Sequence, residues 1–182
     1  MRTDVRQGPE IWVRGPVTDA RAEADGWEGR PDRPTGRPVT PRRFSWLATH
    51  GGAGTTTLAA VYGGHDCGRA WPGPGAPESV LLVARTHAAG LDAVTRMLEV
   101  FRGGEAPAGL DLDAVVLVAD APGRLPRRLA QRVKPIESVI DVYRVPWVEA
   151  WRLGDLSGAP PRESEPLARL TGAGNARAVP TP

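Results

Sequence analysis

Cysteine is almost missing from these 182 residues: Cys67 stands alone, so no disulfide can form within the chain. A lone thiol fits a reducing compartment. Lysine is almost missing too. Lys134 is the only one, and arginine carries the remaining basic charge, which we read first as high-GC coding bias. Neither sign of charge dominates, since 23 basic and 21 acidic residues leave a formal net charge of +2. That is too little to imply nucleic acid or an anionic membrane as the principal partner. No apolar run approaches the ~18 residues of a membrane span, and no basic n-region with an apolar h-region opens the chain. These absences predict a soluble, cytoplasmic protein.

Glycine and proline, by contrast, are plentiful and uneven. Residues 1–43 hold five Gly and six Pro, and residues 154–182 hold four and five. Both ends lie near or above the roughly 25–30% that marks low-complexity chain. We therefore expect a disordered arm over 1–43, a domain over 44–153 and a disordered tail over 154–182. Within the arm, Ile11-Trp12-Val13 is a short island that can add a strand to an open sheet edge. The central ~110 residues are enough for one core.

That centre alternates strand and helix patterns. Ser79–Ala84 and Ala114–Ala119 are continuous apolar runs, as suits parallel strands buried on both faces. Between them Leu91, Val94, Leu98 and Phe101 make one helical face, with Thr86 as its cap and Gly103-Gly104 as its stop. Pro126 suits the first turn of a helix carrying Leu125, Leu129 and Val133 inward, and Val139–Tyr143 reads as the last strand. Trp147–Leu153 reads as a short closing helix. Such alternation predicts an α/β fold: a small open, mainly parallel sheet of about four to five strands with flanking helices.

The chemistry gathers at Phe44-Ser-Trp-Leu-Ala-Thr-His-Gly-Gly-Ala-Gly-Thr-Thr-Thr-Leu-Ala-Ala60. A short apolar strand runs into glycines, and three threonines open a helix. Strand, glycine turn and helix N-terminus together form a nest of backbone N–H groups backed by a positive helix end, suited to phosphate. Gly51, Gly52, Ala53, Gly54, Thr55, Thr56 and Thr57 are the candidate phosphate-binding residues. The stretch resembles the deviant Walker A loop of the ParA/MinD class of P-loop ATPases. That loop runs lysine, two glycines, a spacer, glycine, a second lysine and two Ser/Thr. Gly51, Gly52, Gly54, Thr56 and Thr57 match; His50 and Thr55 stand where the two lysines would be.

The resemblance extends by element order over most of residues 44–154. It implies ATP or ADP with magnesium as ligand, Thr56 as the residue reaching the metal once nucleotide is bound, and Asp120, Pro146 and Trp147 on the base side. It also implies two further strands, one with the Walker B aspartate, between the loop and Ser79. Only Tyr62–Glu78 occupies that interval, and its glycines and prolines exclude a regular strand. The Walker B element thus reads as deleted, leaving Asp66 and Asp120 as the nearest carboxylate substitutes and His65 and Asp66 in a switch-like loop. The deletion also predicts that the loop strand becomes a sheet edge, to be covered by Ile11–Val13 or by a partner.

Other residues carry alternative readings. His50, His65, Asp66 and Cys67 are all zinc-capable, although His65-Asp66-Cys67 is tightly spaced for one ion. Cys67 beside a histidine can also be read as a nucleophile, without a third orienting group. Arg124, Arg127, Arg128, Arg132 and Lys134 lie in a stretch free of acid from Ala121 to Ile136, a basic surface for non-specific DNA or simply a solvated helix face. Trp71, Trp147 and Trp151 serve as core anchors or partner contacts. The leading expectation is a degenerate ParA/MinD-like protein of actinobacterial type. It would have weak or no ATP hydrolysis and act as an accessory subunit of a partition, conjugation or secretion machinery. The alternatives are a slow magnesium-dependent ATPase and a non-enzymatic interaction module docking a protein partner, or its own copy, through an open edge and the N-terminal arm.

Overall fold

A computed structural model describes residues 43–173. The chain order is β1 (Ser45–Ala48), α1 (Thr55–Tyr62), β2 (His65–Asp66), β3 (Ser79–Arg85), α2 (Ala88–Arg102), β4 (Asp111–Val118), α3 (Arg127–Glu137), β5 (Val142–Val145), α4 (Glu149–Arg152) and, after a 3-10 turn at Arg162–Ser164, α5 (Glu165–Thr171). The five strands form one open sheet in the order β2-β1-β3-β4-β5, every pairing parallel. This is the α/β architecture that the alternating pattern predicts.

The apolar runs are continuous because both sheet faces are covered. Leu81 and Val83 of β3 join Trp46, Leu58, Tyr62, Val116 and Leu167 on the side of α1 and α5. Val80 and Leu82 join Leu47, Leu91, Val94, Val133 and Ile136 on the side of α2 and α3. Period-two side-chain alternation thus sends neighbouring residues of one strand into two different cores.

Four expectations are corrected. First, β1 is not an edge. His65 N–H donates to Phe44 O at 2.9 Å and Cys67 N–H to Trp46 O at 3.0 Å, so two residues of the Gly/Pro-rich loop pair with it. Gly63 and Gly64 make this return, with φ of 73° and 88°. A Cβ on Gly64 would come within 2.3 Å of the Phe44 ring, so the sharp turn needs glycine for space as well as for backbone. Ile11–Val13, the other expected cover, lies outside the described residues.

Second, the domain does not stop near Leu153. Pro166 sits in the first turn of α5, Gly172 closes it in the left-handed region, and Leu167 is fully buried. Third, the last strand starts three residues late. Backbone bonds from Ser138 to Lys134 and from Ile140 to Ile136 continue the winding of α3, and Val139 stays 53% exposed. Fourth, the cap of α2 is His87, whose Nδ1 accepts from Gly90 N–H at 2.9 Å, while Thr86 Oγ1 accepts from Asp120 N–H. Among the described residues no helix is long and apolar enough to cross a membrane.

Candidate functional site

The strand order fixes where a ligand belongs. From β1 the chain passes through α1 to β2 on one side; from β3 it passes through α2 to β4 on the other. The crevice between the carboxyl ends of β1 and β3 is therefore the topological switch point, the usual ligand position of open α/β sheets. The residues there are the glycine loop after β1 and Arg85-Thr86-His87 at the end of β3.

The loop is held from beneath. Thr49 donates both its N–H and its Oγ1–H to Val83 O, at 3.0 and 3.1 Å. Gly52 and Gly54 have φ of 73° and 106°, a region that side-chain-bearing residues rarely adopt. Gly54 then caps α1, accepting from Leu58 N–H at 3.0 Å. Ala53 and Thr55 are buried, Thr57 is half-buried and Thr56 is exposed.

Two of the predicted residues meet. Thr56 Oγ1 donates to Asp66 Oδ2 at 2.7 Å, and Gly68 N–H donates to Asp66 Oδ1 at 2.9 Å. Burial pushes the Asp66 pKa up, but the bonds from Thr56, Gly68 and Thr55 and the charge of His65 outweigh it, leaving the pKa below the ordinary value. A carboxylate and a threonine hydroxyl thus face each other beside the loop although the interval lacks room for the expected strands. His65 itself is exposed, and its backbone pairs with β1.

His50 does a structural job. Its Nε2 accepts from Arg85 N–H at 3.0 Å, so the ring proton is on Nδ1, 2.8 Å from Gly51 O. Gly90 is packed against this junction: a Cβ there would lie 2.2 Å from Arg85 O and 3.1 Å from His50 Nε2. The first residue of the loop is therefore tied to the end of β3.

Arg85 was not among the sequence candidates. Its Nε donates to Gly52 O at 3.3 Å and its Nη1 to Ala119 O at 2.9 Å, and Nη2 lies 3.7 Å from where a Gly54 Cβ would be. Burial, and next the nearby charge of Arg152, lower its pKa, while Asp120 raises it. The guanidinium nonetheless stays charged. Its position at the carboxyl end of a strand beside the switch point is the signal that could have found it.

Two cavities flank this arginine. One, about 450 Å³, opens over the loop and is bounded by Gly51–Thr57, Gly68, Arg69 and Arg85. The other, about 200 Å³, lies between Gly54, Thr57, Leu58 and Arg85 on one side and Pro146, Trp147, Trp151 and Arg152 on the other. Pro146 and Trp147 thus stand beside the loop, with the Arg152 guanidinium 4.5 Å from the Trp147 ring centre. Asp120 instead lines a third cavity of about 470 Å³ over β4 and β5, which Pro146 also borders.

The other candidates stand apart. Arg127, Arg128, Arg132 and Lys134 are exposed on α3 and Arg124 on the turn before it; Arg132 pairs with Asp92. Trp71 packs on Phe101 at 5.6 Å and Trp151 on Tyr62 at 6.4 Å, which makes both packing residues. Among the described residues no group of three or more His, Cys, Asp or Glu could hold a metal ion.

Fold and crevice define an open, all-parallel α/β protein with a glycine loop at its switch point. The chain belongs to the family of unknown function DUF6668, whose model matches residues 44–167. That match takes in the glycine loop and the first turn of α5. No curated protein matches the chain.

Proposed function

We propose that this protein is a degenerate ParA/MinD-like P-loop protein that binds ATP or ADP with magnesium weakly and hydrolyses it little or not at all. The observation that carries the reading is the position of Gly51–Thr57. The loop sits at the switch point, with two glycines in left-handed conformations, and runs directly into α1. Backbone N–H groups at such a turn bind phosphate without a side chain. The lysine missing at position 55 weakens that binding. A lost charge-assisted contact costs about 1.5–3 kcal/mol, roughly one to two decades of affinity. Hydrolysis suffers more, because phosphoryl transfer depends on positioning and charge stabilisation.

In this reading Pro146 and Trp147 border the base, and Thr56 would hold magnesium, which neutralises phosphate charge when bound. A weak nucleotide site without turnover suits a cytoplasmic accessory or regulatory subunit. The resemblance alone supports a partition, conjugation or secretion machinery as its setting, with a protein partner or a second copy. The exposed basic residues of α3 are the surface for any non-specific DNA contact.

Thermal unfolding with and without millimolar ATP or ADP plus Mg²⁺, on wild type and Gly54→Val, tests the proposal. Ligand at about tenfold above Kd contributes about 1.4 kcal/mol, or several degrees in Tm. We expect the shift in wild type and its loss in Gly54→Val, where valine meets a φ of 106°. No shift with any nucleotide would overturn the reading. A second reading, slow magnesium-dependent ATP hydrolysis, is favoured by the Thr56–Asp66 bond. It requires measurable turnover that Asp66→Ala abolishes.

A further inference from the structure

We propose that Arg85, reaching in from the end of β3, replaces the lysine missing from the loop. With Arg152 and Arg69 it would form an arginine clamp for the phosphate chain of a di- or triphosphate ligand. The inference rests on the phosphate-loop reading and assigns the charge that this reading leaves unassigned.

Three observations support it. The first is orientation. A guanidinium has five N–H donors in one plane. Nε and Nη1 are fixed on Gly52 O and Ala119 O, so the plane is set before any ligand arrives, and Nη2 is the end nearest Gly54. A fork held in this way matches phosphate geometry and loses little freedom on binding.

The second is electrostatic. The ion pairs found among the described residues are Arg132–Asp92, Arg144–Glu137 and Arg169–Glu165; none involves Arg85. Arg85 is half-buried, and the largest charge effect on it is that of another arginine, Arg152, with the Asp120 carboxylate acting the other way. Two like charges at one crevice are unfavourable until an anion lies between them.

The third is placement. Arg85 borders both the cavity over the loop and the one beside Trp147, and Arg69 and Arg152 each border one of them. An anion at Gly54 and a group lying toward Trp147 would share Arg85. The positive charge of the loop has moved to the neighbouring strand, which explains how the glycines persist without either lysine.

Calorimetric titration of wild type, Arg85→Gln and Arg85→Lys with Mg²⁺–ADP and with pyrophosphate decides the matter. Gly54→Val serves as the loop control. Glutamine keeps an amide donor for the two carbonyls but removes the charge. We expect Arg85→Gln to lose roughly ten- to hundredfold in affinity, with Arg85→Lys, which keeps the charge but not the fork, falling between the two and wild-type affinity falling more steeply with salt. Wild-type affinity in Arg85→Gln, with binding abolished in Gly54→Val, would overturn the clamp and leave the phosphate loop standing. Absence of binding in wild type would overturn both. Arg152 is exposed, so Arg152→Gln should fold even if Arg85→Gln does not. A several-fold loss in that variant supports the clamp, and unchanged affinity refutes it.

Discussion

At the residue scale, the polar side chains in and beside the glycine loop have structural uses. The His50 ring accepts a hydrogen bond from the backbone at the end of β3. Asp66, an unremarkable acid within a Gly/Pro-rich stretch, gains a threonine hydroxyl and a glycine N–H. Its lowered pKa sets a pH dependence. A carboxylate with a folded-state pKa below its unfolded value of about 3.9 contributes stability that is complete above that value. The contribution is lost as pH falls through the folded pKa. Wild type should therefore be more stable than Asp66→Asn at neutral pH, with the gap closing below about pH 4. The site is largely open to solvent, so the gap will be modest. Urea unfolding of both proteins at pH 7 and at about pH 2.5 checks it; an equal gap at both would mean that the carboxylate charge plays no part. None of these pairings was legible beforehand, because residues 50 and 85, or 56 and 66, meet only through the sheet.

At the scale of elements, β3, β4 and α2 were legible because continuous apolar runs and a clean helical face have few other solutions. What escaped was short or proline-bearing. β2 has two residues, too few for any periodicity, and is created by the turn at Gly63-Gly64 and by pairing to β1. In α5 the prolines that read as disorder include a helix starter. Tyr62, the last residue of α1, joins the two. Its hydroxyl donates to Ser164 Oγ at 2.6 Å, and Ser164 Oγ donates in turn to Pro161 O at 2.7 Å. Both residues are buried. Removing one partner from such a pair costs more when a donor is left stranded. Tyr62→Phe leaves Ser164 still bonded to Pro161 and should cost about 0.5–1.5 kcal/mol. Ser164→Ala strands the tyrosine hydroxyl and should cost about 1–3 kcal/mol. Denaturant midpoints of the two variants give the ranking; the reverse order would show that the relay runs otherwise.

On the scale of the whole molecule, the sheet needs both of its covers. α2 and α3 protect one face, while α1 and the C-terminal segment protect the other. The glycine loop leads directly into α1, so the site rests on the face that the C-terminal segment helps to cover. A compositional boundary at Gly154 would cut this cover away. Leu167 and Ala168 would be lost from a cluster that includes Trp46, Leu58, Leu81 and Val116, and Tyr62 would lose Ser164. Losing the Leu167 side chain alone should cost about 2–5 kcal/mol, a large share of the roughly 5–15 kcal/mol typical of a domain. A chain ending at Leu153 should accordingly unfold at a much lower temperature than one ending at Ala173, and it should bind an apolar dye that the longer chain excludes. The Leu167→Ala variant of the full chain should fall between them. If the chain ending at Leu153 kept the full melting temperature, α5 would be an ornament on a core already complete. The support of the glycine loop would then have to come from α1 and the sheet alone.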